Sequence, residues 1–277
     1  MQHLVIEAGG TERQYWRDLW RYRELLYFLA WRDILVRYKQ TVIGVAWAVV
    51  RPVLTMAVLS VVFGRVAKLP SGDVPYPLMV FCGLLPWHFF ATAFTESSSS
   101  LVTNSNMISK VYFPRLVVPA GSVITSLVDL MISIGLLGLL LLFYRIAPSA
   151  HIVALPLFIV MAFAAAFGVG LWVSAMMVRY RDFRYVVPFV VQFGLYLSPV
   201  GFSSAFAAPH VLPDGWELLY WLNPMAGVID GFRWAVLGGS HVLNVPGLLL
   251  SGSVIVVVLA TGLRYFRRTE QTFADII

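Results

Sequence analysis

Polar, basic stretches alternate along the chain with apolar runs about as long as a bilayer is thick. Six runs stand out, at about 42–64, 76–97, 116–143, 152–178, 185–203 and 245–266. A hydrocarbon core about 30 Å thick takes about 20 apolar residues of helix, so the pattern predicts six transmembrane helices. The segment between the last two runs is neither polar enough for a plain loop nor long enough for two more spans. Within it, "LPDGWELLYWLNPMAGVIDGFRWAVLG" at 212–238 reads as two short helices broken at Asn223–Pro224. Backbone that dips into a membrane has to be covered by protein or water, so these two are expected to be re-entrant.

The first forty residues carry a different period. Tyr15, Leu19, Tyr22, Leu26 and Leu29 share one helical face, while Arg13, Arg17, Arg21 and Glu24 lie opposite. That is an amphipathic helix lying in the membrane interface. Trp16, Trp20 and Trp31 suit the headgroup level.

Composition agrees with the pattern. Of 277 residues 59% are hydrophobic and 12% charged, with mean hydropathy +0.79. Soluble domains carry about 25% charged residues, so an all-α integral membrane protein is expected, as one domain over 1–277. Residues 1–40 form its interface helix region, 42–266 its six spans and 267–277 a tail. No cleavable leader is expected, because the first apolar run follows forty polar residues. Cys82 is the one cysteine, which excludes an internal disulfide and a cysteine metal cluster.

The net charge of +6 is read as orientation, not as nucleic-acid binding. Arg13, Arg17, Arg21, Arg23, Arg32, Arg37, Lys39, Lys110, Arg115, Arg179, Arg181, Arg184, Arg264, Arg267 and Arg268 fall on one side of six spans. Arg65, Lys68, Arg145 and Arg233 fall on the other. The positive-inside rule then puts both termini in the cytoplasm.

Chemistry of its own is hard to find in this chain. Lys39, Lys68 and Lys110 follow Tyr, Ala and Ser, whereas an ATP-binding P-loop needs Gly-Lys followed by Ser or Thr. His3, His88, His151, His210 and His241 have no metal-site spacing. Glu96 and the "SSSS" at 97–100 lack a base and orienter nearby. Ion coupling would need ionisable groups near the midplane, and Arg51 and Asp129 are the deepest. Their expected role is a pair that keeps spans one and three in register.

A channel without a motor needs a partner that grips a loop. "SSSSLVTNSNMISKVYFPR" at 97–115 has suitable features. Asn104 and Asn106 suit helix capping. Met107, Ile108 and Val111 form a small apolar face, Lys110 flanks it, and Tyr112 and Phe113 are rigid anchors of the hot-spot kind. An ordinary loop with snorkelling Lys110 and Arg115 is the plainer alternative.

Several stretches together resemble one family. They are "RYKQTVIGVAWAVVRPVLTM" at 37–56, "GLLPWHFF" at 83–90, "NSNMISKVYFPRLVVP" at 104–119, "VRYRDF" at 178–183, "SPV" at 198–200 and "NPMAGVIDGFR" at 223–233. In this order they resemble the membrane subunit of type-2 ABC transporters, in particular exporters of O-antigen and related polysaccharides. The resemblance implies a homodimer in the bacterial inner membrane with two copies of a separate cytoplasmic ATPase, which would bind the ATP and Mg. This chain is then a permease with no cofactor of its own, not an enzyme. Residues 100–113 would be the coupling helix, and the interface helix would also touch the motor. The cargo would be a polysaccharide on undecaprenyl pyrophosphate.

On that reading Arg32, Arg37 and Lys39 either hold a pyrophosphate or only flank the membrane. Trp47, Trp87, Phe89, Phe90 and Tyr196 form an aromatic track for sugar, or else pack the core. Trp216, Tyr220, Trp221, Asn223, Pro224, Arg233 and Trp234 belong to two gate helices on the periplasmic side, or to a cap. Arg51 departs from the family pattern, which suggests an uncharged polar residue before Pro52. Capsule, teichoic-acid, drug or lipid cargo stays open, as does a membrane enzyme acting on polyprenyl-linked sugars.

Overall fold

The computed structural model describes residues 12–39, 46–203, 217–239, 242–270 and 273. All regular structure among them is helical. The elements are α1 (Glu12–Arg21), α2 (Arg23–Lys39), α3 (Ala46–Leu59), α4 (Tyr76–Thr103), α5 (Ser105–Ile108), α6 (Val117–Phe143), α7 (Leu155–Arg179), α8 (Phe183–Leu197), α9 (Glu217–Trp221), α10 (Pro224–Leu237) and α11 (Val245–Thr269). A π-helical stretch, Ser60–Val66, prolongs α3, and a 3₁₀ turn, Ala150–Ala154, leads into α7.

Five of these segments are long and apolar enough to cross a membrane: Ala46–Val66, Tyr76–Thr103, Val117–Phe143, Ala150–Arg179 and Val245–Thr269. The chain is therefore a multi-pass membrane protein. The run expected at 185–203 differs. Its helix α8 has 15 residues, about 22 Å at 1.5 Å per residue, and stops at Ser198. The following turn nevertheless reaches the level where α4 begins, because Tyr76 donates its hydroxyl to the Gly201 carbonyl.

α4 is the central post, packed against α3, α6, α7, α8 and α10. Small residues let the other helices approach it closely. Ser97, Ser98 and Ser100 are buried and Gly170 of α7 lies against Ser97. The serine run thus serves helix packing. Ser97 and Ser100 return their hydroxyl protons to carbonyls three residues back, at 3.2 and 2.7 Å. At another crossing α7 and α11 meet backbone to backbone. A Cβ on Gly168 would stand 2.9 Å from the Leu259 backbone.

One end of the bundle carries Arg115, Arg179, Arg181, Arg184 and Arg267. There α1 and α2 lie across it, joined at Tyr22. Tyr15, Leu19, Tyr22 and Leu26 pack with buried Leu29 onto Leu101, Phe113, Leu116 and Phe266. Trp16, Trp20 and Trp31 stay exposed, as the period predicts. Glu270 ties three elements together at this basic end. It accepts the Tyr15 hydroxyl at 2.9 Å and the Arg115 backbone N–H at 2.7 Å.

At the opposite end α10 enters the bundle and stays in it. Asn223 caps its first turn, accepting the Met225 N–H at 3.0 Å, and donates to Ser198 at 2.9 Å. Ser251 bonds the Trp221 carbonyl at 2.8 Å. The break at Asn223–Pro224 lies where the sequence places it.

Candidate functional site

The C-terminal turn of α2 bends the chain's chemistry into the membrane. Arg37 donates through Nη2 to Glu96 on α4 and through Nη1 to Asp129 on α6. The Tyr38 hydroxyl donates to the other oxygen of Asp129, and Ser126 donates to the other oxygen of Glu96 at 3.2 Å. Burial alone would lower the Arg37 pKa, but the two carboxylates outweigh it and hold the guanidinium above its ordinary value. Burial and Asp129 push the Tyr38 hydroxyl up, so it remains a donor. The expected Arg51–Asp129 pair is corrected here. Because α2 lies directly along α6, the guanidinium that reaches Asp129 belongs to Arg37.

These groups form the floor of a cavity of about 300 Å³ between α2, α3, α4 and α6. Arg51 and Trp47 enter it from α3, one turn apart, and His88, Thr92 and Glu96 from one face of α4. No carboxylate among the described residues lies within ion-pair distance of Arg51. The Nε2 of His88 is buried without a hydrogen-bond partner. Among the described residues no group of His, Cys, Asp and Glu is arranged to hold a metal ion.

The expected pyrophosphate cluster is split. Arg37 faces the cavity and is held by two carboxylates. Arg32 turns the other way, donating to Asp33 at 2.8 Å and to the Asn104 side chain at 3.0 Å. Lys39 lies on the Arg32 side, beside Phe28, Trp31 and Val36. The three positions are near in sequence, but a helix sends residue 37 to a different face from residues 32 and 39.

The 104–115 stretch divides into a buried root and an exposed face. Ile108 and Phe113 are both 4% exposed, while Val111 is 57% and Tyr112 65% exposed. Asn106, Ser109 and Lys110 are exposed beside them, and Met107 is half-buried. Phe113 is thus a plug in the bundle, not a docking anchor. Its neighbour Pro114 is buried as well. Asn104 occupies the cap position of α5 without a side-chain cap; its amide bonds Ser100 at 2.9 Å and Arg32 instead.

The proposed aromatic track is also corrected. Trp87, Phe89 and Phe90 are buried, Trp87 against Gly194 of α8. Trp47 and Tyr196 remain exposed. The sequence reading missed a stripe on α8. Tyr185, Phe189, Phe193 and Tyr196 recur at 4, 4 and 3, all are exposed, and the Phe189 and Phe193 rings lie 4.2 Å apart. That spacing was legible as a helical face.

Of the gate residues, Trp216 lies outside the described residues. Trp221 is buried against Gly247, and the Tyr220 hydroxyl is buried without a partner. Trp234 packs on His151 with ring centroids 4.3 Å apart. Arg233 does not face solvent. It is 1% exposed and donates to the carbonyls of Met79, Phe202 and Val200 at 3.2, 2.8 and 2.7 Å. A three-way fork to carbonyls locks α10 to α4 and to the turn after α8.

The ABC-2 type transporter family model matches residues 24–237, a stretch that holds the cavity, the 104–115 stretch, α8 and α10. The chain belongs to the ABC-2 type transporter family. It is similar to an O-antigen export system permease protein RfbA of Klebsiella pneumoniae, 27% identical over 92% of this chain and 95% of that one. A protein of the same name in Myxococcus xanthus is 26% identical over 94% and 98%. The polysialic acid transport protein KpsM of Escherichia coli is 24% identical over 87% and 91%. All three are named as transport proteins, which places this ABC-2 chain among transport permeases rather than enzymes.

Proposed function

We propose that this ABC-2 permease is the membrane subunit of an ATP-driven exporter that moves a polyprenyl-pyrophosphate-linked polysaccharide, O-antigen above all, out of the cytoplasm. The observation that carries the reading is the end-to-end similarity to proteins named as O-antigen export permeases. The structure supports it in two places. The basic end presents Asn106, Lys110, Val111 and Tyr112 on a short helix rooted by Ile108 and Phe113, a rigid projection suited to a cytoplasmic ATPase. The α8 stripe offers aromatic faces to the C–H faces of sugars.

On this reading two permeases pair in the inner membrane with two ATPase subunits, and both termini are cytoplasmic. ATP-driven motion enters at α5 and at α1–α2, which share Leu29, Ile108 and Phe113 in one apolar cluster. The Arg32–Asn104 bond joins the same two elements. α10, whose Asn223 end bonds Ser198 and whose Val236 carbonyl accepts the Ser149 N–H, closes the outer mouth.

The test is gentle purification of the tagged protein from its native membrane, followed by mass spectrometry. A P-loop ATPase at one copy per permease is the expected companion. An intact permease that reproducibly purifies without one would reject the proposal and favour an enzyme acting on polyprenyl-linked sugars.

A further inference from the structure

The cavity between α2, α3, α4 and α6 has an unequal hydrogen-bond inventory. Its carboxylates are engaged: both oxygens of Glu96 and both of Asp129 receive protons from Arg37, Tyr38 and Ser126. Thr92 donates to carbonyls of its own helix. Its second cation is not. Arg51 has no ion-pair partner among the described residues, the Nε2 of His88 is buried and unpartnered, and Trp47 lines the cavity with them. An uncompensated cation beside an orphaned imidazole nitrogen calls for an anion.

Depth sharpens the ligand. His88 stands near the middle of the 28 residues of α4, about 20 Å from either end at 1.5 Å per residue. Intramembrane arginines are rare and face cavities, partners or a charged substrate path. An anion crossing an apolar core about 30 Å thick needs a counter-charge on the way.

We propose that Arg51, with His88 and Trp47, binds a phosphate-type anion half-way across the membrane, a stop on the path of the pyrophosphate head of the cargo. This rests on the export reading. Arg37, with its two carboxylates, is not the anion ligand; it sets the cavity floor and leaves Arg51 as the cation that is free to change partners.

The test is equilibrium binding of labelled farnesyl pyrophosphate to the purified protein in phosphatidylcholine nanodiscs. Saturable binding is expected, weakened at least about tenfold in Arg51→Gln and kept within a few-fold in Arg51→Lys. His88→Ala, which removes a donor without removing a charge, is expected to weaken it as well. An Arg51→Gln protein that binds as tightly as the parent would overturn the site, and an unchanged His88→Ala would remove His88 from it. Two competitors separate the sources of the anion. Displacement by inorganic pyrophosphate with no effect of phosphatidylglycerol supports the cargo head. Displacement by phosphatidylglycerol overturns the path assignment and makes the ligand a bilayer headgroup.

Failure of the site and failure of the reading look different. If Arg51→Gln binds normally while a strain lacking the permease holds its glycan inside, the site is wrong and export stands. If the parent binds through Arg51 while that strain displays normal surface polysaccharide, export is wrong and the anion site stands.

Discussion

Arg37→Gln is the substitution that interrogates the cavity floor most sharply. It strips the shared cation from Glu96 and Asp129 and leaves two carboxylates facing one cavity. Breaking a buried ion pair costs about 3–5 kcal/mol. Here the Arg37, Glu96 and Asp129 side chains are 26%, 32% and 25% exposed, so solvent screening reduces the expected loss to about 2 kcal/mol. That is about a 30-fold shift in the unfolding equilibrium. The assay is SDS-induced unfolding in mixed micelles, followed by circular dichroism. The variant that also carries Glu96→Gln and Asp129→Asn should recover most of the loss, since neutral amides keep hydrogen bonds without the repulsion. A double-mutant cycle for Arg37 and Asp129 should give a clear coupling, and one for Arg51 and Asp129 almost none. The reasoning is refuted if Arg37→Gln unfolds like the parent, or if Arg51 proves to be the coupled cation.

Other expectations follow from packing and burial. Phe113→Ala should lose about 3 kcal/mol of stability, while Tyr112→Ala, at an exposed position, should melt normally yet release the ATPase; equal losses of stability would contradict the division into root and face. Arg233→Lys cannot fork to three carbonyls and should lower the melting temperature by several degrees, a cost of about 2 kcal/mol; an unchanged melt would remove Arg233 as the lock on α10. Gly168→Val has no room against the Leu259 backbone and should abolish a stable fold or reduce its yield severely, whereas Gly138→Ala, on an open face of α6, should not. Burial holds the Glu270 carboxyl above its ordinary value of 4.5 despite its donors from Arg115 and Tyr15. The folded state therefore keeps this proton more firmly than the unfolded chain. The stability of the parent relative to Glu270→Gln should fall as pH rises above 4.5, and a rise would contradict the assignment.

Hydrophobic period and length made the helices legible. They located five long spans, the interface helix with Tyr15, Leu19, Tyr22, Leu26 and Leu29 on its inner face, and the break at Asn223–Pro224, where a capping residue meets a proline. Partnership was not legible, because it depends on how elements lie across one another. Asp129 takes Arg37 because α2 lies along α6, and nothing local to either residue encodes that contact. The same holds for Phe113 and Tyr112, adjacent aromatics that a turn sends to opposite sides. Arg233 reads as an extramembrane cation until α10 is seen to be buried and its guanidinium to close three carbonyls. The α8 stripe is the opposite case: its spacing was present in the sequence, but its value is clear only where α4 and α7 leave that face uncovered.

The most direct measurement of the central claim is where the glycan accumulates in a strain that lacks this permease. Lipid-linked polysaccharide should be absent from the cell surface and present inside, reachable by labelled lectin or antibody only after the inner membrane is opened. Re-expression of the permease should return it to the surface. Surface polysaccharide at normal levels in the deletion strain, or loss of the glycan from inside as well as outside, would contradict export as the function of this chain.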